Sequence, residues 1–352
     1  MPVGNNDAPI KASSAIYSQN MGFVKAVERG ASVDSGESAR NWLDGIYGST
    51  KTTIKYPTFQ PLTYSMNYIN HNDAFNIAKA MTEDGNIYGL TNSSDTHLIK
   101  NSEWGAITYL SQSQYGLENV EICVNNISLN SGNSKRINVD GKRGVDSVYA
   151  VTGCTTAYND AEEKITTIEK INSMVNNTAI DGIYTWDQLN GTKASSTGNI
   201  YGIYDLSGGL EERTTAYIAN AHEYLSLFAK SITYDANTLK TASTKYTTAY
   251  PFDSSVDNTE VADNDTNLNT VSTNNYKKNT LIYGDGIRET STTGIGSTSW
   301  YNDYSYYMGL FGPVSVRGGD LWTKSGNGLF HFHRTTGDSS YADGLRVTLV
   351  VF

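Results

Sequence analysis

The chain has 352 residues, 18% of them charged and 11% aromatic, with a formal net charge of -10. That length buries a substantial core and is long for one domain without being clearly two. The acidic balance and the absence of clustered Lys and Arg exclude a phosphate-binding groove, so no nucleic-acid partner is expected, and no apolar run is long enough for a transmembrane segment.

The N-terminus lacks the charged, apolar, small-residue order of a signal sequence, so the chain is not exported by that route or its leader has been removed. Residues 1–50 are polar and weakly patterned. They suit an attachment arm or a small oligomerisation element, the second of which would make the chain a homo-oligomer. The remainder, 51–352, is expected to form one ligand-binding domain.

Within that domain, Pro57 and Pro61 exclude helix while Leu62, Tyr64, Met66 and Tyr68 alternate as in a strand. Asn72 and Asp73 predict the start of a helix with Ala74, Phe75, Ala78 and Met81 on its apolar face. A second helix begins near Asn101 and Ser102, with Glu103 at its positive end and Trp104, Ile107, Tyr109 and Leu110 expected to pack inward. Val120 to Val124 and Val148 to Val151 read as strands, and Glu162 to Val175 has helical spacing. Tyr217 to Ile232 is compatible with either state. Residues 235–280, dominated by Thr, Asn, Asp and Ser, predict a long surface insertion, partly ordered at best. Cys123 and Cys154 are too few for a disulfide framework, and pairing and free thiols are equally open.

The C-terminal segment runs from an Arg317-Gly318-Gly319 turn to Gly344-Leu345-Arg346-Val347 and a closing apolar strand. Leu329 to His333 and Arg346 to Val350 alternate like strands with one buried face. Glycine at this density marks tight turns, which hold the side chains between them in defined positions. Tyr, 25 of the aromatics, supplies rigid contact area with a polar tip, which suits a recognition surface, although it also fills strands.

Four ordered blocks resemble one superfamily: Asn101-Ser102-Glu103-Trp104-Gly105-Ala106, Gly198 to Gly209, Arg317-Gly318-Gly319, and Gly344-Leu345-Arg346-Val347. The chain is similar to the formylglycine-generating-enzyme-like (sulfatase-modifying factor) version of the C-type lectin fold. The resemblance implies an α+β fold of short mixed strands, two main helices and long loop insertions. Within that superfamily it looks most like the variable proteins of diversity-generating retroelements, found as phage receptor-binding and bacterial surface proteins, which places a variable region at 320–343. The enzymes of the superfamily use late cysteines, and this chain has none after Cys154; their paired tryptophans are replaced at Gly208 to Arg213. No catalytic role and no cofactor are therefore expected.

The ligand-facing residues expected on this reading are Asp320, Leu321, Trp322, Thr323, Lys324, His331, His333 and Tyr341. Arg317, Gly318, Gly319, Gly344, Arg346, Trp104 and Asp205 are expected to be structural, the arginines pairing with buried carboxylates or loop carbonyls. His331 and His333, two apart on a strand, face the same way and supply two metal ligands at most, short of a third from His97, His222 or Glu223. Glu211 and Glu212 fall on opposite faces of a strand, which argues against an acid/base pair. The leading expectation is a non-catalytic receptor-binding or adhesion protein, outside the cell, on its surface or on a virion, that recognises a protein or glycan on a cell surface. Two alternatives stay open: a metal-dependent oxidoreductase of the same superfamily, and a structural module of a phage tail or pilus.

Overall fold

A computed structural model describes residues 69–122, 128–129, 149–151, 155–156, 183–185, 191–253, 265–279, 281–320, 326–340 and 342–350, except Gly85 and Ile87. The N-terminal arm, the extended stretch before Tyr68, the 162–175 helix and both cysteines lie outside these residues.

The first predicted helix is present as α1, His71–Ala80. Its cap is Asn70, whose side chain accepts from the Asp73 amide at 2.8 Å and satisfies one of the helix's free donors. Ala74, Ala78 and Met81 are buried, as their spacing predicts. Strand β1, Asp95–Leu98, leads into α2, Asn101–Ser111, where Glu103 accepts from the Lys100 amide at 3.0 Å. The inward face of α2 differs from expectation: Trp104, Gly105, Thr108 and Ser111 are buried, while Tyr109 and Leu110 are exposed. Gly105 lies directly against the Gly284 carbonyl, so the close approach is made by a residue without a side chain.

The central strand is β2, Glu211–Ile218, and all eight of its residues are buried. It settles the first part of the ambiguous 217–232 stretch as extended; the helices α3, Glu223–Phe228, and α4, Lys230–Thr233, follow. Beyond them come β3, Thr248–Tyr250, α5, Asp265–Lys278, β4, Ile295–Ser297, β5, Tyr304–Tyr306, β6, Val314–Arg317, β7, Phe332–Thr335, β8, Asp343–Leu345, and β9, Val347–Val350.

Seven strands form one mixed sheet in the order β4-β5-β7-β6-β2-β8, with β3 also on β2. Strand β2 runs antiparallel to β6 along one edge; β8 and β3 share its other edge, both parallel to it. The last strand leaves this sheet and pairs antiparallel with β1, Leu98 opposite Val347 and Asp95 opposite Val350. Ile99 joins the two sheets: its amide donates to the Arg346 carbonyl and its carbonyl accepts from the Thr215 amide, both at 3.0 Å. Helices beside mixed sheets make this an α+β protein.

Alternation along β2 sends Ala216 and Ile218 to one side, where they pack with Tyr250, Tyr276, Ile287, Tyr307 and Phe332. Tyr217 goes to the other side, under Leu225 and Ile232 of α3 and α4. The expectation of a surface insertion at 235–280 is corrected in part: Tyr250 and, on α5, Val271, Ser272, Asn275 and Tyr276 are buried, while 254–264 and 280 lie outside the described residues.

Candidate functional site

Both ends of the C-terminal segment are fixed to one residue of the central strand. In β6, Arg317 lies opposite Glu212; in β8, Gly344 lies beside the same Glu212. Residues 320–343 thus begin and end on either side of one point on β2, and between those ends β7 pairs with β6 inside the sheet.

Each end is held by charge as well as by the ladder. Arg317 is fully buried, with Nε donating to the His331 carbonyl and Nη1 to the Asp285 carbonyl, each at 3.0 Å. Burial lowers its pKa to about 10, which still leaves it a cation at neutral pH. Its guanidinium lies over the ring of Trp104, whose Nε1 donates to the Leu329 carbonyl at 2.8 Å. Gly318 and Gly319 have φ of +87° and +80°, the region glycine enters without penalty. At the other end, Arg346 pairs with Glu212, and its Nη2 also donates to the carbonyls of Tyr204 and Asp205 at 2.9 and 3.2 Å. Asp205 contributes its main chain here, at φ +62°.

Between these anchors the register brings a row of polar and aromatic side chains onto one face. Val316 lies opposite both Arg213 and His333, and Ser305 lies beside Phe332. Strand alternation therefore puts Tyr304, Tyr306, His331, His333, Glu211 and Arg213 on the same side. Glu211 Oε1 is 3.0 Å from His331 Nε2 and 3.3 Å from His333 Nδ1. Arg213 Nη2 is 2.9 Å from Asp343 Oδ2, and its Nη1 is 2.5 Å from His71 Nδ1. The ring of His333 lies 6.1 and 5.5 Å from those of Tyr304 and Tyr306, and the Arg334 guanidinium covers Tyr306 at 4.3 Å.

Burial works to raise the pKa of Glu211, but His333 and then His331 override it and hold the carboxyl well below the usual range. The reciprocal effect acts on His333: burial works to lower its pKa, and the Glu211 carboxylate raises it. Asp343 is pushed up to about 6, mainly by burial and against the pull of Arg213.

The expected ligand-facing residues divide. Leu321, Trp322, Thr323, Lys324 and Tyr341 lie outside the described residues. Asp320 is half-buried, and its carbonyl accepts from Asn327 Nδ2 at 2.6 Å. The side chain of His333 is 32% exposed. His331 is corrected: at 1% exposure it is an interior residue, with Nδ1 3.1 Å from the Gly326 carbonyl and Nε2 on Glu211. The strand reading with one buried face fails for the same stretch, since Leu329, Phe330, His331 and Phe332 are all buried.

The histidines weighed as further ligands are engaged elsewhere. His97 Nε2 is 2.8 Å from Glu103 Oε1, and His222 Nδ1 accepts from the Tyr224 amide at 3.2 Å. Among the described residues no group of three or more His, Cys, Asp or Glu is placed to hold a metal ion, and no helix is long and apolar enough to cross a membrane.

Glu211, Arg213, Asp343, Tyr304 and Tyr306 belong to this face and were not foreseen there. Alternation alone puts Glu211 and Arg213 on one side of β2, but the strands that bring the histidines and tyrosines beside them are set by long-range pairing.

The fold and this face define an α+β protein with a polar, aromatic sheet face. No protein-family model matches the chain, and no curated protein matches it.

Proposed function

We propose that the chain is a non-catalytic ligand-binding protein of receptor-binding or adhesion type, with a C-type lectin scaffold of the formylglycine-generating-enzyme-like kind. On this reading residues 320–343 form the contact surface for a protein or glycan on a cell surface, and the protein works outside the cell, on a cell surface or on a virion. The observation that carries it is the double attachment at Glu212: a segment paired to the sheet at both ends, with Leu329 to Phe332 buried between them, can change its exposed side chains without moving its base. Pairing of the closing strand with β1, near the start of the described chain, supports the lectin-type scaffold.

The contact set becomes Asp320, Leu321, Trp322, Thr323, Lys324, His333 and Tyr341, extended across the sheet by Tyr304 and Tyr306. Aromatic side chains with polar tips give contact area at low ordering cost. Diversification of the segment by a retroelement belongs to the same proposal, and a reverse-transcriptase gene beside an imperfect copy of the C-terminal coding region would support it.

The test uses the labelled full chain against a panel of whole cells and an array of glycans. A Trp322→Ala, Tyr341→Ala double variant should lose binding while its thermal unfolding stays close to that of the parent. Binding that survives both substitutions would refute this placement of the contact surface.

A further inference from the structure

Glu211 and His331 are interior groups, and one oxygen of Glu211 is hydrogen-bonded to His331 and lies 3.3 Å from His333 Nδ1. His331 and His333 sit with ring centres 6.2 Å apart on one face of the chain entering β7. Both ring nitrogens of His331 face oxygen atoms, the Gly326 carbonyl and Glu211 Oε1, and both donate at once only when the ring carries two protons. His333 turns Nδ1 toward the same carboxylate oxygen. We propose that Glu211 and His333, with His331 on the same carboxylate, form a proton-operated clasp, which tightens the base of residues 320–343 while the His333 ring is protonated and loosens it as the pH rises. The clasp concerns how the segment is held and stands or falls without any ligand.

The carboxylates around His333 favour this sense, while burial opposes it. From β2 it faces Glu211, with Arg213 beyond; from β8, Asp343; from the turn after β6, Asp320. From β5 the rings of Tyr304 and Tyr306 lie against it, Tyr306 carrying Arg334, and His331 lies alongside. Among the described residues the fixed cations near it are Arg213, which is committed to Asp343, and Arg334, which is committed to Tyr306.

The folded-state pKa of His333 lies above its ordinary 6.5. Its contribution to stability is therefore complete below pH 6.5 and is lost as the pH rises through the higher folded value. Glu211 stays ionised throughout that range, because its own pKa is held far below it. Asp343, raised to about 6, acts in the same direction but lower, its contribution fading as the pH rises through that value. His71 acts in the opposite direction, but its pKa is lowered well below 6.5, so it is already neutral where His333 titrates.

Hydrogen exchange of the full chain tests the clasp, comparing pH 6.5 with about pH 8.5 after correction for intrinsic exchange. Amides of residues 332–335 and 343–345 should be better protected at the lower pH. The gain should approach ~10-fold for each pH unit by which the folded pKa of His333 exceeds its unfolded one. His333→Gln and, separately, Glu211→Gln should abolish the difference. Equal protection at both pH values, greater protection at the higher one, or an unchanged difference in His333→Gln would each overturn the clasp. Should either variant fail to fold, imidazole nitrogen NMR of the parent chain decides. The clasp requires His333 to titrate above 6.5 with the amides of 343–345 moving at the same midpoint, and a midpoint at or below 6.5, or amides that do not follow, contradicts it.

Discussion

Arg346 closes on Glu212 with both arms: Nε donates to Oε2 at 2.5 Å, and Nη2 donates to Oε1. Glu212 is 7% exposed, so an unpaired carboxylate there would be stranded away from water. Arg346→Ala should therefore cost about 3–5 kcal/mol, the usual loss when one partner of a buried pair is removed. Arg346→Lys should recover little of it, because an ammonium cannot reproduce the two-pronged contact or also reach the Tyr204 and Asp205 carbonyls. Guanidinium unfolding of the three proteins measures both differences.

Gly319 carries the turn that launches the segment. At φ +80° a side chain is strained by roughly 1–2 kcal/mol. A β-carbon would also run into the Asn327 side-chain oxygen, disturbing the hydrogen bond from Asn327 Nδ2 to the Asp320 carbonyl. Gly319→Ala should lower stability by more than the strain alone, and denaturant titration against Gly89→Ala isolates the excess. Gly89 is a fair reference, since it has φ +67° and open space around it.

His71 makes the fold sensitive to acid. Arg213 Nη1 donates to its Nδ1 at 2.5 Å, and its Nε2 is 3.3 Å from the Ser315 carbonyl, an arrangement that requires a neutral ring protonated on Nε2. Burial first, and then Arg213, lower its pKa well below 6.5. The unfolded chain takes up a proton that the folded chain refuses, so this contribution is present above pH 6.5 and is lost as the pH falls, by up to about 1.4 kcal/mol per pH unit. His71→Gln should flatten that part of the acid slope in urea titrations between pH 6.5 and the acid transition. A slope equal to that of the parent chain would show that another group is responsible for it.

The parts of the fold legible in the sequence are those whose signal is local. The α1 face of Ala74, Ala78 and Met81 follows from spacing, and Glu103 marks the start of α2. Helix α5 was hidden by its chemistry. Its inward residues include Ser272 and Asn275, and Asn275 Oδ1 accepts from the Asp253 amide at 2.7 Å, so a buried face reads as a polar insertion. The outward Tyr109 and Leu110 of α2 misled for the converse reason: the close packing of Gly105 on Gly284 leaves the inner face to small residues beside Trp104. His331 looked like a displayed residue because its partner, Glu211, is 120 residues away, and no local pattern announces such a pair.

The display reading rests on a division of labour between fixed ends and replaceable contents. Its most direct measurement is a library randomising Leu321, Trp322, Thr323, Lys324 and Tyr341 in the full chain, scored for folding by thermal unfolding and for binding on the cell panel. Most members should melt close to the parent temperature while their binding varies widely from one to the next. A library in which most members unfold, or in which binding stays the same whatever occupies those five positions, contradicts the account.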